Sequence, residues 1–367
     1  MRILILSCNT GEGHNACARA VREALLARGA ACDIVDGLRF VSPVFSLLVS
    51  RWHVRLYRYL PRFYCRAYDY AERHAGMMDQ SALVCRLLGL GCRRLRAFIA
   101  AGGYDAVLCT HLFPMMMLTR LCQRESMGVR TGFIATDYTA SPGCGAIAPD
   151  WCFIPDASLT EEFAAAGIDR ARIVPSGIPV RAAFAAGPEG PDDRPGVSRV
   201  LLMSGSMGCG PIRRLVDDLY AQPGEMDISV ICGSNRRLER QLKRRFGASP
   251  RVHVFGRVED VPRRMDEADL YLTKPGGISV TEACAKGLPM LLIPVVGGCE
   301  GHNLRYHVDA GAARAAGAPP ELARLAAELL SGRGALDEMA ARRREIRHEN
   351  AAQIICDTMM TGEYHHE

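Results

Sequence analysis

Residues 273–289 have the composition of a phosphate-binding turn between a strand and a helix. An apolar run leads into Lys274 and Pro275-Gly276-Gly277, and a helical pattern follows. Glycine supplies the sharp turn, and the N–H groups and positive dipole end of a helix N-terminus favour a phosphate. The pattern Ser279-x-x-Glu282 is also that of a helix capping box, in which Glu282 only satisfies a backbone donor. The spacing alone leaves both interpretations open.

A second glycine loop, Gly205-Ser206-Met207-Gly208, follows another apolar strand and suits the same chemistry. If both loops face a diphosphate, Glu282 is placed to accept hydrogen bonds from ribose hydroxyls, because a carboxylate binds a diol well. Glu300 and Asn303 follow a third strand, and we expect them at the same edge of the sheet. The His, Cys and acidic residues of this half lack metal-ligand spacing, so we predict no metal site.

Three residues suited to proton transfer each follow a predicted strand. His14 lies where a glycine loop enters a helix, and the positive end of the helix dipole favours its neutral form. Neutral imidazole can take a proton from a hydroxyl group, as general-base catalysis requires. His111 and Asp137 end two later strands, at the edge of a parallel sheet where ligands gather. A histidine that only hydrogen-bonds the loop backbone fits the same pattern.

The first glycine loop also fits the fingerprint of a dinucleotide-binding site. Gly11-x-Gly13-x-x-Ala16 follows a strand, and Asp36 ends the next strand. His14 beside Gly13 counts against such a site, because a pyrophosphate needs a close approach to the backbone there. A dinucleotide site would also leave the two later glycine loops unexplained, so we rank it below proton transfer.

Strands, glycine loops and helical patterns alternate along the chain and predict parallel α/β sheets. We predict one domain at residues 1–185 and a second at residues 198–345. Residues 186–197 are rich in Pro, Gly and Asp and predict an exposed linker. Residues 346–367 are predicted to be a C-terminal helix that can pack back on the first domain. The predicted architecture is two Rossmann-like, doubly wound domains facing each other across a cleft.

Composition sets limits on the class of protein. The chain has 367 residues, 49% hydrophobic and 23% charged, with a formal net charge of +5, which is ordinary for a folded soluble protein. Its 15 cysteines contain no Cys-x-x-Cys pair, and the N-terminus has no signal-peptide pattern. We therefore expect free thiols in a reducing cytoplasm. No apolar run approaches the roughly 18–20 residues of a membrane-spanning helix, so any membrane contact would be peripheral.

Residues 44–73 interleave aromatic side chains with arginines and contain few acids. Aromatic rings at headgroup depth with cations beside them suit an anionic lipid surface. A pair of helices with inward aromatics and solvated arginines fits the pattern slightly better, and nucleic acid ranks low because no known binding module fits the chain. The candidates for membrane contact are Trp52, Arg55, Tyr57, Arg58, Arg62 and Phe63.

Five motifs occur in the order found in a known enzyme family. They are Thr10-Gly11-Glu12-Gly13-His14, Thr136-Asp137-Tyr138-Thr139, Ser176-Gly177-Ile178-Pro179-Val180, Ser204-Gly205-Ser206-Met207-Gly208 and the run from Thr273 to Ala283. Together they resemble the monogalactosyldiacylglycerol synthase and processive diacylglycerol glucosyltransferase family, within glycosyltransferase family 28. The similarity covers nearly the whole chain.

The resemblance implies a GT-B fold. It also implies an enzyme that transfers a hexose from a UDP-sugar to diacylglycerol or its glycoside. It implies an inverting, metal-independent reaction without a cofactor. We predict that the aromatic-basic segment at residues 44–73 holds the first domain on an anionic membrane, at its cytoplasmic face. His14 matches the proposed base, with Asp137 as a second candidate, and Gly13 and His111 would lie on the acceptor side. The residues expected to bind the UDP-sugar are Gly205, Ser206, Met207, Gly208, Phe255, Lys274, Gly276, Gly277, Ser279, Glu282, Glu300 and Asn303.

Two departures from the family pattern leave questions open. Many members have Gly-Gln-Glu where this chain has Gly298-Cys299-Glu300, so an amide that contacts the sugar is missing. The family often has His-Pro after the Thr-Asp-Tyr segment, where this chain has Thr139-Ala140-Ser141-Pro142. The alternatives are a transferase for a polyprenyl-diphosphate sugar, a UDP-sugar epimerase of similar fold and a catalytically silent UDP-sugar sensor.

Overall fold

The chain divides into two compact units. The computed structural model describes residues 1–74, 82–185, 197–293 and 297–364. One unit is Met1–Ala182 with His348–Glu367, and the other is Ala183–Arg347. Of the predicted linker at 186–197, all but Val197 lies outside the described residues.

A parallel sheet forms the core of the first unit. Among the described residues it has six strands in the order β2-β1-β3-β4-β5-β6. Ile3, Leu4, Ile5 and Leu6 are fully buried, as in a strand that is covered on both faces. The strands are β1 (Arg2–Ser7), β2 (Ala31–Asp36), β3 (Ala106–Cys109), β4 (Arg130–Ile134), β5 (Trp151–Phe153) and β6 (Ile173–Val174).

Helices link these strands, and a helical insertion at residues 43–73 lies between β2 and β3 in the sequence. The helices are α1 (Glu12–Ala27), α2 (Pro43–Tyr59), α3 (Pro61–Arg73), α4 (Leu83–Gly89), α5 (Cys92–Gly102), α6 (Leu112–Cys122), α7 (Thr160–Ala165) and, at the boundary of the units, α8 (Ala182–Ala185).

The second unit has its own parallel sheet and core. Its described strands lie in the order β9-β8-β7-β10-β11-β12, the order of a Rossmann fold. The strands are β7 (Ser198–Met203), β8 (Met226–Ile231), β9 (Val252–Phe255), β10 (Leu270–Thr273), β11 (Met290–Leu292) and β12 (Ala313–Ala315). The helices are α9 (Ile212–Tyr220), α10 (Arg236–Phe246), α11 (Val261–Asp266), α12 (Gly277–Ala285), α13 (Cys299–Asp309), α14 (Pro319–Ser331) and α15 (Arg333–Glu345). The predicted pair of Rossmann-like α/β domains is confirmed.

The last helix, α16 (Ala351–Thr361), belongs to the first unit. Arg28 of α1 forms an ion pair with Asp357 at 3.0 Å, and Arg130 of β4 donates to the Met359 carbonyl at 3.0 Å. Ile355 is fully buried. The chain therefore returns to its first unit after completing the second.

Three elements differ from the sequence prediction. Helix α1 begins at Glu12, so His14 lies within its first turn rather than at the end of the loop. The predicted C-terminal helix at residues 346–367 is the shorter α16 (Ala351–Thr361). Strand β12 was not predicted, because its Ala-Arg-Ala sequence has no β-branched residue and its pairing with β11 decides its conformation.

Candidate active site

Both units place their candidate residues at the point where the strand order reverses. In the second unit β7 and β10 are neighbours, with Met203 opposite Thr273. The two glycine loops follow these strands directly, so both lie at the carboxyl edge of the sheet beside the reversal. Ligands of open α/β sheets bind in the crevice at this position.

The first of these loops needs glycine for conformational and steric reasons. Gly205 and Gly208 have φ of +61° and +55°, which side chains rarely adopt. A Cβ at Gly208 would lie 2.4 Å from the Cys232 carbonyl oxygen. Asn235 donates to the Gly208 carbonyl at 2.8 Å, and the Ser234 N–H donates to the Ser206 carbonyl at 2.8 Å. The loop is therefore fixed before any ligand arrives, and Met207 lies within it.

Lys274 and Glu300 form a buried ion pair beside the second loop. The Lys274 ammonium group contacts Glu300 Oε1, and the two side chains are 14% and 6% exposed. Burial disfavours the charged ammonium, but the adjacent Glu300 carboxylate outweighs this effect, and the pKa of Lys274 stays above its usual value. Asn303 donates to the Pro275 carbonyl at 2.9 Å and so stabilises the Pro275-Gly276-Gly277 turn. The structure thus brings Lys274, Glu300 and Asn303 together.

The capping-box interpretation of Ser279 is wrong. Helix α12 is preceded by Gly276 as its N-cap and begins at Gly277, and no side chain caps it. Ser279 lies in the first turn, where its hydroxyl is 2.8 Å from the Tyr271 hydroxyl and 3.2 Å from Thr273 Oγ1. The N-terminal N–H groups of α12 are therefore not engaged by Ser279 and remain suited to an anion.

Two residues predicted to bind the donor lie apart from Lys274, Glu300 and Asn303. Glu282 lies further along α12, and Phe255 lies at the end of β9. Glu282 is in the second turn of α12 and partly exposed, outside any capping position. Phe255 ends β9 at the edge of the sheet, and its ring lies 3.8 Å below the Arg264 guanidinium. The Phe255 ring therefore packs on Arg264 of α11.

In the first unit His14 is held in one tautomer. Its Nδ1 lies 2.6 Å from the Thr110 carbonyl oxygen, with Thr136 Oγ1 at 3.2 Å. Because a carbonyl can only accept, Nδ1 carries the proton and Nε2 keeps its lone pair. Burial lowers the pKa of His14, although the charge of Asp137 and the Thr110 hydrogen bond act in the opposite direction. His14 is therefore a neutral imidazole whose Nε2 can accept a proton.

His111 lies beside His14 in the complementary tautomer. The two rings meet edge to face, with centroids 4.6 Å apart. His111 Nδ1 accepts the Phe113 N–H at 3.1 Å, so its proton sits on Nε2. Burial and the proximity of His14 hold the pKa of His111 well below its usual value. Gly13 precedes His14 in the first turn of α1.

Thr110 and Thr136 contribute to this site but were not predicted. Each follows a strand of the central sheet, and both are buried. Their positions one or two residues beyond strand ends, beside His111 and Asp137, were the signal that could have identified them.

The helical pair α2–α3 exposes an apolar face. Trp52 and Phe63 are 58% and 60% exposed, and Arg55 and Arg62 are also exposed. Tyr57 is only 6% exposed and packs against Tyr64, with ring centroids 5.7 Å apart. Tyr57 is thus a packing residue, and its predicted membrane contact is wrong. The Arg58 side chain lies outside the described part of the chain.

The exposed face continues along both helices. In the described ranges, no helix is long and apolar enough to cross a bilayer. The exposed apolar residues of this face, here called the α2–α3 patch, are Val44, Leu47, Leu48, Trp52, Tyr59, Leu60, Phe63 and Tyr70. The patch exceeds the scattered apolar residues of an ordinary surface, which indicates an interaction site.

Comparisons with known proteins agree over nearly the whole chain. A family model for monogalactosyldiacylglycerol (MGDG) synthase matches residues 14–180, and one for the glycosyltransferase family 28 C-terminal domain matches residues 199–353. The processive diacylglycerol beta-glucosyltransferase of Staphylococcus aureus (strain Newman) is 22% identical over 373 residues, covering 98% of this chain and 92% of the relative.

Solved structures share the fold of this chain. MurG of Acinetobacter baumannii matches with a TM-score of 0.67 at 16% identity, over 98% of this chain and 99% of MurG. A putative UDP-N-acetylglucosamine 2-epimerase of Listeria monocytogenes matches with a TM-score of 0.64 at 14% identity, over 98% and 96% of the two chains. At these identities the similarity shows the fold, and the predicted GT-B fold is confirmed.

Proposed function

The chain belongs to the monogalactosyldiacylglycerol synthase family, within glycosyltransferase family 28, and we propose that it transfers a hexose from a UDP-sugar to diacylglycerol or a glycosyldiacylglycerol. One observation carries the proposal. The MGDG synthase model matches the segment that contains His14, and the family 28 C-terminal model matches the segment that contains both glycine loops.

The second unit binds the donor in this proposal. The loop Gly205–Gly208 and the N-terminus of α12 supply N–H groups for the diphosphate. Glu282 accepts from the ribose hydroxyls, and Glu300 and Asn303 lie on the side of the sugar. The reaction is inverting and needs neither a metal ion nor a cofactor.

His14 acts as the general base on the acceptor hydroxyl. Its Nδ1–H is directed at the Thr110 carbonyl at 2.6 Å, which leaves Nε2 to take the proton. The hydroxyl oxygen forms a bond to the anomeric carbon as the bond from that carbon to the β-phosphate oxygen breaks. UDP leaves with the electron pair of the broken bond, and configuration at the anomeric carbon is inverted. Asp137 stabilises the resulting imidazolium.

The α2–α3 patch attaches the enzyme to the lipid that contains its acceptor. Trp52 and Phe63 offer rings to the headgroup region, and Arg55 and Arg62 lie near enough along the helices to meet anionic lipid. We place the enzyme peripherally on the cytoplasmic face of an anionic membrane. In support, all 15 cysteines are free thiols, as in a reducing compartment.

Transfer in vesicles tests the proposal. Purified protein is incubated with labelled UDP-glucose or UDP-galactose and anionic vesicles containing diacylglycerol, and the lipids are then separated by chromatography. We expect label from one donor in hexosyl-diacylglycerol. Label that remains in the aqueous phase as a new UDP-sugar would instead identify an epimerase. UDP binding with no labelled product from any donor or lipid, polyprenyl phosphates included, would identify a sensor.

A further inference from the structure

Lys274 lies between the two glycine loops of the second unit. It follows β10, next to the reversal of the strand order, and its side chain runs between the two glycine loops. A Cβ at Gly205 would lie 2.6 Å from Lys274 Cε, and one at Gly276 would lie 3.6 Å from Nζ. Gly205 therefore leaves room for the aliphatic part of Lys274, and the ammonium group reaches the second loop.

The choice of lysine at this position is also unusual for this chain. Lys274 is one of three lysines, and the remainder of the 45 basic residues are arginines. A guanidinium is broad and planar, whereas an ammonium is a compact point charge that binds a phosphate from several directions. Lys286 provides a contrast, because it pairs with Asp266 at 2.8 Å beyond the C-terminal end of α12. Only Lys274 of these two faces the loops.

The surroundings of Lys274 favour its charged form and suit the binding of an anion. Its ammonium contacts Glu300 in a nearly buried site, where a charge interacts more strongly than in water. The N-terminus of α12 adds a positive dipole end beside it. Glu300 keeps the ammonium charged while the site is empty.

We propose that Lys274 is the cation that binds the diphosphate of the leaving UDP, and that Glu300 holds its ammonium group at that place. This inference rests on the proposed function and assigns separate tasks to two residues of the donor site. As the bond from the anomeric carbon to the β-phosphate oxygen breaks, that oxygen takes the electron pair. Lys274 stabilises this added negative charge and keeps its own proton throughout.

The test compares two variants that break the same ion pair from opposite sides. Lys274→Gln removes the cation, and Glu300→Gln removes the anion. Dissociation constants for UDP and for uridine are measured for the wild type and both variants, by calorimetry for UDP and ligand-observed NMR for the weaker uridine. The ratio of the two constants reports the contribution of the diphosphate, and retained uridine binding shows that the nucleoside site is folded.

We expect the preference for UDP over uridine to fall about ten- to a hundredfold in Lys274→Gln, since a hydrogen bond from a charged donor is lost. In Glu300→Gln the preference is expected to fall less than in Lys274→Gln, because the cation remains and only the carboxylate that holds it in place is lost. In Lys274→Gln the transfer rate kcat should fall more than KM rises, since charge on the diphosphate is greatest in the transition state.

Four results would overturn the inference. Lys274→Gln could keep the wild-type preference for UDP, or the two variants could lose it equally, as a purely structural ion pair would require. If Lys274→Gln no longer binds uridine, Glu300→Gln decides alone, and an unchanged preference there contradicts the proposed role. Wild-type protein that binds UDP no better than uridine would refute the donor site itself, and the proposed function with it.

Discussion

His14 and Lys274 are held in opposite charge states by their surroundings. Burial lowers the pKa of His14 and keeps it neutral, whereas Glu300 raises the pKa of Lys274 and keeps it charged. A base must be neutral to accept a proton, and a residue that stabilises a leaving diphosphate must be positive. The chemistry at each site therefore follows from its neighbours rather than from the residue type alone.

Asp137 gives a prediction on pH dependence. Its negative charge raises the pKa of His14, so Asp137→Asn should lower that pKa further. The base must be unprotonated, and kcat/KM for hexose transfer falls as pH drops through the pKa of His14. We therefore expect the acid limb of the kcat/KM profile to move to lower pH in Asp137→Asn.

The matched control for this measurement is Asp169→Asn. Asp169 is an exposed carboxylate of the same unit, and its side chain is 62% exposed. Its profile should coincide with that of the wild type. An acid limb that stays in place or moves to higher pH in Asp137→Asn would contradict the assignment of His14 as the base.

Glycine loops beside a reversal of strand order are the elements that the sequence predicted best. Gly205 and Gly208 are visible in the sequence because few other residues permit their positive φ. The start of α12 was harder to predict, since Ser279-x-x-Glu282 matches a capping box. The Ser279 hydroxyl contacts the Tyr271 hydroxyl, eight residues earlier, and no local sequence pattern indicates that contact. Element types were therefore predictable from local sequence, and side-chain partners were not.

The helices α2 and α3 show the same limit. Their aromatic and basic composition fits either a packed pair or a lipid surface, because period and composition do not determine which face is covered. In the structure Tyr57 is buried and Trp52 is exposed, although both belong to the same helix. The assignment needed tertiary structure.

The α2–α3 patch predicts how the protein binds vesicles. Trp52→Glu with Phe63→Glu places two acids on the apolar face, which removes buried ring area and repels anionic lipid. We expect the fraction that floats with phosphatidylglycerol-containing vesicles to fall about tenfold or more, while the affinity for UDP stays unchanged.

Leu26→Glu is the control for a general effect of added charge. Leu26 is an apolar residue of α1 in the same unit and is 49% exposed. This variant should float like the wild type. Equal loss of flotation in both proteins, or none in the double variant, would show that the patch does not bind the membrane.

At the scale of the whole molecule, the chain forms two Rossmann-like units and returns to the first through α16. The alternation of strands and helices was sufficient to predict the two sheets, because that pattern is local. The return of α16 rests on Arg28 with Asp357 and on buried Ile355, which are contacts between distant parts of the sequence.

Lipid composition in a host that expresses the protein tests the central claim most directly. Lipids extracted from a host without hexosyl-diacylglycerols are compared by mass spectrometry for the wild type, the His14→Ala variant and an empty vector. We predict hexosyl-diacylglycerol in the wild type and a loss of about 10²- to 10⁴-fold in transfer activity of His14→Ala, the usual contribution of a general base. Absence of any glycosylated diacylglycerol from wild-type cells that contain the folded protein would contradict the account.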